Sequence, residues 1–278
     1  MHIDVASIIQ SKKPKLYRWL PPFVIRWIGR IIYQKEINGV LDRLDGKKDI
    51  DFIRGTLDDL RIERSYTGLE RLDPEKRYII ASNHPLGGVD GLALAEAVDS
   101  RMNHGVKVMV NDILMNLKPM NGVFVPINKY GRQSEENVRN LNDALNGDAS
   151  MVYFPAGICS RRIKGKITDP GWKKNFVQKA LETRRDVVPV FVDERNSGLF
   201  YGLSNFRKAI GVRVNIEMLL LPRELFKRRG GHIRIRFGEP VPYETLAQSG
   251  RTPREWAETI REMSYRMGEE QDKKRGTK

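Results

Sequence analysis

One histidine lies among glycines in the stretch ASNHPLGGVDGLAL, residues 81–94. It is His84, one of four histidines in the chain, with Asn83 before it and Asp90 six positions after it. A neutral imidazole, whose ordinary pKa is about 6.5, accepts a proton from a hydroxyl near neutral pH. A carboxylate on its other nitrogen fixes the tautomer and stabilises the imidazolium that forms. The spacing therefore predicts a general base, His84, paired with Asp90.

The turn around this histidine suits a close approach of other groups. Pro85 fixes the backbone after His84, and Gly87 and Gly88 leave room for a neighbouring chain or ligand. A histidine in such a turn also occurs as a hydrogen-bonded loop residue without chemistry, so both interpretations stay open here. No Gly-x-Ser-x-Gly elbow occurs in the chain. We therefore expect the hydroxyl deprotonated by His84 to belong to the substrate.

Cys159 is the only cysteine in the chain. A single cysteine excludes an intramolecular disulfide and a Cys-rich zinc site. Two interpretations of Cys159 remain: a nucleophile that uses His84 as its base, or a small packing residue, which is commoner. No pair of histidines has the spacing of metal ligands, so no metal site is predicted.

Short β-rich runs alternate with helical segments from about residue 75 onward. The strands are RYIIAS, GVKVMV, GVFVPI, ASMVYFP, DVVPVFV and GHIRIRFGEP, and the helices are LALAEAVDS, SEENVRNLNDALNG and WKKNFVQKALETRR. This alternation predicts an α/β domain with a largely parallel sheet and helices on both faces. Ligands of such sheets bind beyond the carboxyl ends of the strands. His84 follows RYIIAS and is predicted at such an end.

The segment KLYRWLPPFVIRWIGRIIYQKE is basic and amphipathic. After Pro21 and Pro22 its apolar residues recur at helical spacing, whereas Arg26 and Arg30 share the opposite face. This pattern fits a helix that lies in a membrane interface. It fits equally well a helix that packs its apolar face on the rest of the protein.

The chain carries 49 Lys and Arg against 35 Asp and Glu, a net charge of +14. Such a balance indicates an anionic partner, and nucleic acid, an anionic membrane and an acidic carrier protein all fit it. A nucleic-acid-binding protein is the main alternative to an enzyme, but no recognition-helix pair, zinc finger or RNP-type strand is present, so no nucleic acid is expected. No run of 18 apolar residues and no signal peptide occur.

We divide the chain into three parts. Residues 1–50 are a basic amphipathic helical segment that associates with a membrane, residues 51–265 are the catalytic domain, and residues 266–278 are a charged tail, predicted to be disordered. The protein is thus expected to be peripheral on the cytoplasmic face of the cell membrane.

Four blocks of sequence resemble a known family. NHPLGGVDG is similar to the His–Asp motif of the glycerolipid acyltransferases, the group that contains 1-acylglycerol-3-phosphate acyltransferase. GVFVPINK, YFPAGICSR and VVPVFV resemble the second, third and fourth motifs in the family's order, over roughly residues 50–245. The resemblance implies that His84, paired with Asp90, activates an acceptor hydroxyl to attack an acyl thioester. Acyl carrier protein or coenzyme A would deliver that thioester as co-substrate, without a further cofactor or a metal.

The same motifs imply which residues surround the substrate. Besides the catalytic His84 and Asp90, the implied substrate-binding residues are Asn83, Gly87, Gly88, Phe124, Phe154, Pro155, Gly157, Ser160 and Arg161.

The chain departs from the family's pattern in four places. Five residues rather than four separate His84 from Asp90, and in the third motif Ala156 and Cys159 replace a glutamate and an arginine. The second motif's arginine also has no counterpart near Ile127. In the family those arginines bind the phosphate of the acceptor, because a phosphate needs charged donors that form paired hydrogen bonds.

Their loss favours an acceptor other than a glycerol phosphate. The pattern is similar to the hemolysin-like branch, which O-acylates N-acylated amino acids to make ornithine- or glycine-type lipids. In that interpretation Arg161 faces the amino-acid carboxylate. A 1-acylglycerol-3-phosphate acyltransferase is the alternative.

Two further features have competing interpretations. Trp172 and Phe176 lie one helical turn apart and either line the acyl groove or, as is commoner, face the core. The run RELFKRRGGHIRIR either docks a carrier protein or anionic headgroups, or is a solvated basic face.

Overall fold

Seven strands form a central sheet in the computed structural model, which describes residues 2–127, 134–212 and 214–276. Their spatial order is β1 (Glu63–Thr67), β9 (His232–Phe237), β8 (Asp186–Val192), β2 (Tyr78–Ser82), β5 (Ser150–Tyr153), β3 (Val106–Asn111) and β4 (Phe124–Ile127). Neighbouring strands are parallel, except that β8 and β9 are antiparallel. The predicted class, α/β with a largely parallel sheet, is therefore confirmed.

The remaining strands form a separate hairpin, β6 (Arg161–Ile163) with β7 (Lys166–Thr168). The helices are α1 (Val5–Lys12), α2 (Pro14–Trp19), α3 (Pro22–Ile31), α4 (Gln34–Arg43), α5 (Asp49–Asp59), α6 (Gly88–Arg101), α7 (Glu135–Asn146), α8 (Asn175–Thr183), α9 (Gly198–Ala209), α10 (Leu221–Lys227), α11 (Tyr243–Gln248) and α12 (Pro253–Gly276). A 3₁₀ turn over Ile216–Leu220 connects α9 to α10.

Two hydrophobic cores lie on the two faces of the sheet. All five residues of β2 are buried, and because side chains alternate along a strand, Ile80 packs in one core while Ile79 packs in the other. The first core includes α5 and α6, and the second includes α8 and α12. Burial on both faces explains why β2 and β8 are continuous apolar runs in the sequence.

Strand β9 is the contrasting case, because only one of its faces is covered. One face of β9 is buried and carries Ile233, Ile235 and Phe237. Arg234 and Arg236 alternate with them on the other face, which is partly exposed. Ser134 is the N-cap of α7, because its hydroxyl accepts a hydrogen bond from the Asn137 N–H.

The N-terminal helices differ in how closely they pack on the domain. Val40 and Leu41 of α4 are buried in the first core, so this end of residues 1–50 packs on the domain. In α2 and α3 no residue is fully buried, and Trp19, Phe23 and Trp27 are 87%, 65% and 59% exposed. No helix of the described residues is long and apolar enough to cross a bilayer.

The charged C-terminal tail differs from its prediction. Residues from Pro253 to Gly276 form one helix, α12, so the expectation of disorder over 266–278 is wrong as far as Gly276. Its start buries Trp256 and Ile260 in the second core. The Glu, Gln, Lys and Arg residues that made the tail resemble a disordered segment are also good helix formers, and the packed start provides the helix nucleus.

Candidate active site

The carboxyl ends of β2, β5 and β8 meet at one edge of the sheet because the three strands are adjacent and parallel. Asn83 and His84 follow β2, and Phe154 follows β5. This is the edge at which ligands of α/β sheets bind.

Asn83 holds the end of β2 against the end of β8. Its Nδ2 donates to the Val192 carbonyl at 3.0 Å, and its Oδ1 accepts from the Val192 N–H at 2.7 Å. The residue is buried, and both of its side-chain polar atoms are occupied. The prediction that Asn83 binds substrate is therefore corrected: it positions the residue that follows it.

His84 is held by its backbone and stacked by its ring. Its N–H donates to Asp169 Oδ1 at 3.3 Å, and its carbonyl accepts from the Ser160 N–H at 2.8 Å. The imidazole lies on the Phe154 ring, with the centroids 3.9 Å apart and the planes inclined by 26°. The side chain remains 17% exposed, so one edge of the base is open.

Asp90 lies beside the imidazole despite the extra residue in the motif. His84 Nδ1 and Asp90 Oδ2 are 3.2 Å apart, and the carboxylate is fully buried. It accepts from the N–H groups of Leu86, Gly87 and Gly91 at 2.9, 3.3 and 2.9 Å, which compensates for its burial. Nδ1 makes no well-aligned hydrogen bond, so the contact between the two side chains is mainly electrostatic.

This contact changes the acidity of the histidine. Burial lowers the pKa of His84, but the Asp90 carboxylate and, after it, the neighbouring Cys159 side chain outweigh burial and raise the pKa well above its ordinary value. With Nδ1 turned to Asp90, Nε2 is the nitrogen left to exchange a proton with a substrate. The arrangement is that of a basic imidazole beside a fixed anion.

Gly87 is required by the geometry of the turn. Its φ is +83°, and a Cβ at this position would lie 2.9 Å from Leu221 Cδ2 and 3.1 Å from Cys159 Sγ. Gly88 is exposed and begins α6, which carries Asp90 in its first turn.

Asp169 is a site residue that the sequence analysis missed. Its Oδ1 accepts from the Ser160 hydroxyl at 2.5 Å and from the His84 N–H, and its Oδ2 accepts from Trp172 Nε1 at 3.0 Å. Burial raises the pKa of the Asp169 carboxyl. The DPGW turn at residues 169–172 was the available signal, because an Asp before Pro-Gly commonly organises its own loop.

These contacts bear on the predictions for Ser160 and for the pair Trp172 and Phe176. Ser160 donates its hydroxyl to Asp169 and is buried, so it supports His84 instead of binding substrate. Trp172 and Phe176 are buried and meet edge to face, which confirms the core-facing interpretation.

Arg161 does not face the substrate as predicted. Its side chain is 1% exposed, and Nη2 donates to Glu217 Oε1 at 2.9 Å while Nη1 donates to the Cys159 carbonyl at 2.8 Å. Arg207 of α9 pairs with the same Glu217 at 2.8 Å. The guanidinium therefore joins the third motif to the 3₁₀ turn and α9, and it has no open side for a carboxylate.

The other predicted residues lie at different distances from the base. Phe154 contacts His84 directly, and Gly157 is exposed with a φ of +69°. Pro155 is buried and accepts from the Lys173 N–H through its carbonyl. Phe124 is buried in β4, three strands from β2 and roughly 14 Å away at the usual strand spacing, so it does not touch the base, and its contact with substrate stays a prediction.

Comparison with known proteins agrees with the motifs. A family model described as Acyltransferase matches residues 7–273. A Lyso-glycine lipid O-acyltransferase of Bacteroides thetaiotaomicron is 41% identical over 265 residues, which cover 95% of this chain and 97% of that protein. A protein of the same name from Phocaeicola vulgatus is 38% identical, covering 95% of each chain.

Among solved structures, the 1-acyl-sn-glycerophosphate acyltransferase PlsC of Thermotoga maritima superposes with a TM-score of 0.47 at 16% identity, covering 90% of this chain and 92% of that one. The family match and the two curated relatives each extend over nearly the whole chain. The chain therefore belongs to the acyltransferase family and is an acyltransferase, as its four motifs predicted.

Proposed function

We propose that this acyltransferase moves a fatty acyl group from a thioester to the hydroxyl of a lyso-aminolipid, of the lyso-glycine or lyso-ornithine class. Acyl carrier protein or coenzyme A delivers the thioester. The observation that carries the chemistry is the buried Asp90 carboxylate 3.2 Å from the partly exposed imidazole of His84. The names and near-complete coverage of the two relatives support the aminolipid acceptor.

In the proposed reaction His84 is the general base. Nε2 takes the proton of the acceptor hydroxyl while its oxygen attacks the thioester carbonyl carbon, and Asp90 stabilises the imidazolium. The tetrahedral intermediate collapses when the carbon–sulfur bond breaks. The departing thiolate then takes the proton back from the imidazolium, so the products are the acylated lipid and the free thiol. Such general-base help contributes about 10²–10⁴ in rate.

The third motif supports an acceptor without a phosphate. Ala156 and Cys159, at the positions of the family's glutamate and arginine, are 6% and 0% exposed. Cys159 Sγ lies close to Gly87, where a Cβ would come within 3.1 Å, so this space is filled without a cation. Asn128, which follows β4 near the place of the second motif's arginine, lies outside the described residues.

Peripheral binding to the cytoplasmic face of an anionic membrane completes the proposal. Phe23 and Trp27 are exposed four residues apart in α3 and so share one face of that helix, and Trp19, the last residue of α2, is exposed as well. Exposed aromatic side chains with basic neighbours are typical of interfacial helices. The net charge of +14 adds attraction to anionic lipids.

The test is acyl transfer by the purified protein with palmitoyl-loaded carrier protein or palmitoyl-coenzyme A. The acceptors are a lyso-glycine lipid, a lyso-ornithine lipid and lysophosphatidic acid, and His84→Ala is the matched variant. We expect product on a lyso-aminolipid that disappears in the variant. Preference for lysophosphatidic acid over both aminolipids would overturn the proposed acceptor and leave the enzyme class in place.

A further inference from the structure

A basic cavity of about 580 Å³ lies beside the candidate active site. It is bounded by hairpin strand β6, by the loop that follows β8 and by α10. Its charged lining consists of Arg162, Glu194, Arg195, Glu224, Lys227 and Arg228.

The cavity carries more positive charge than its own carboxylates neutralise. Arg228 pairs with Glu194 at 2.6 Å, and Glu224 accepts from the Ser197 hydroxyl and N–H at 2.7 and 2.8 Å. Arg162, Arg195 and Lys227 are exposed and have no carboxylate partner among the described residues. An anion that enters the cavity would therefore meet three available cations.

A hydrogen bond connects the wall of the cavity to the catalytic motif. Asn196 lines it and donates through Nδ2 to the carbonyl of Pro85, the residue after His84, at 2.8 Å. The Asn196 N–H donates to the Tyr201 hydroxyl at 3.1 Å, and the Arg162 guanidinium lies over the Tyr201 ring, 5.5 Å from its centroid. These contacts fix the cavity wall relative to the base.

An apolar surface begins where the cavity ends. Gly198, the first residue of α9, lines the cavity, and the outward face of the same helix carries Leu199, Phe206 and Ile210. These three side chains are 54%, 62% and 57% exposed and share one face of the helix or its end. A cationic cavity next to an exposed apolar face matches an amphiphile with an anionic headgroup.

We infer that this cavity binds the carboxylate of the acceptor's amino-acid headgroup through Arg162, Arg195 and Lys227. The inference rests on the proposed aminolipid acceptor. These three cations take the role of carboxylate partner that was expected of Arg161. The Arg161 guanidinium is buried and already bonded to Glu217 and to the Cys159 carbonyl. Guanidinium groups bind carboxylates with two parallel hydrogen bonds, so the two arginines provide orientation as well as charge.

The experiment measures KM for each substrate in wild type, in the three single variants Arg162→Gln, Arg195→Gln and Lys227→Gln, and in the triple variant. Arg139→Gln is the matched control, because Arg139 is an exposed cation on α7, which packs on β4. The acceptors are a short-chain lyso-glycine lipid and its carboxamide analogue. Equilibrium binding of both acceptors is measured in parallel, so the result does not depend on turnover.

We expect the triple variant to weaken binding of the carboxylate acceptor by about ten-fold to a hundred-fold, the usual effect of hydrogen bonds to a charged group. Binding of the carboxamide, KM for the thioester donor and the melting temperature should not change. The control should behave like wild type.

Two results would overturn the assignment. Unchanged binding of the carboxylate acceptor in the triple variant would show that the cavity does not hold the headgroup. A rise in KM for the donor alone would show that it holds a phosphate of the donor's pantetheine arm. If wild type binds and acylates lysophosphatidic acid only, and the variants weaken that lipid, the aminolipid proposal fails while the anion-binding role of the cavity stands.

Discussion

Two buried carboxylates lie on either side of the third motif, and they differ in what surrounds them. Asp90 faces an imidazole that is 17% exposed and poorly aligned with it. Glu217 is fully buried and pairs with both Arg161 and Arg207, which are 1% and 6% exposed. The first pair has an open edge toward solvent, and the second is closed by its own arginines.

The difference separates chemistry from architecture. A charged group that is buried and fully paired stabilises one arrangement of the chain, and removing one partner leaves an unpaired buried charge. A titratable group with an open edge and a perturbed pKa can exchange a proton with a ligand. By this criterion the His84 pair is chemical and the Arg161 pair is structural.

The largest effect is expected for His84→Ala. Because the variant removes the base, turnover should fall by about 10²–10⁴. Loss of the ring that stacks on Phe154 should lower the free energy of unfolding by less than the change at Glu217 described next. Steady-state rates and urea unfolding of the same preparation measure the two quantities. Residual activity near the wild-type level would place the base elsewhere.

Glu217→Ala should show the opposite signature. The change leaves Arg161 and Arg207 buried without their shared carboxylate, so the free energy of unfolding should fall by about 3–5 kcal/mol. Glu258→Ala is the control, because Glu258 forms an exposed pair with Arg261 and such pairs contribute about 1 kcal/mol or less. Equal stability of the two variants in urea would remove the structural role of Glu217.

Asp90→Asn should have an intermediate effect on the rate. The amide oxygen can still accept from the Leu86 and Gly87 N–H groups, but the NH2 group then faces the Gly91 N–H, and the charge that stabilises the imidazolium is lost. We expect turnover to fall by about 10², less than for His84→Ala. A variant that turns over as fast as wild type would show that the fifth intervening residue has disconnected the two side chains.

The smallest effect is expected for Cys159→Ala. The thiol is fully buried against Gly87 and is not needed by the proposed mechanism. Most of the activity should remain in a steady-state assay, and no acyl-enzyme should form on mixing wild type with the donor. Loss of transfer on the scale of His84→Ala would revive the nucleophile interpretation.

The sequence predicted those elements whose signal lies within one short segment of the chain. The apolar run of β8 matched its strand to the residue, since a strand buried on both faces carries one uninterrupted signal. Strand β1, ERSYT, was missed because it lies at the sheet edge and has mixed polarity. The tail of α12 was missed because composition cannot distinguish a solvated helix from disorder.

The site residues divide in the same way, into those predicted from local motifs and those whose role depends on distant partners. Sequence placed His84, Asp90 and Phe154 together because the motif and the strand ends are local signals. It misassigned Asn83 and Arg161, whose partners lie 109 and 56 residues away in the chain. A side chain's type does not reveal whether a distant partner already occupies it.

The pairing of His84 with Asp90 is tested most directly by the pH dependence of kcat/KM in wild type and in Asp90→Asn. Only the neutral imidazole accepts a proton, and the Asp90 carboxylate raises the pKa of His84 above its ordinary value. Wild-type activity should therefore rise with pH through a pKa above about 6.5. Asp90→Asn removes the largest of the effects that raise this pKa, so the same limb should move to lower pH. A limb that is absent, or that Asp90→Asn does not move, would contradict the pairing of His84 with Asp90.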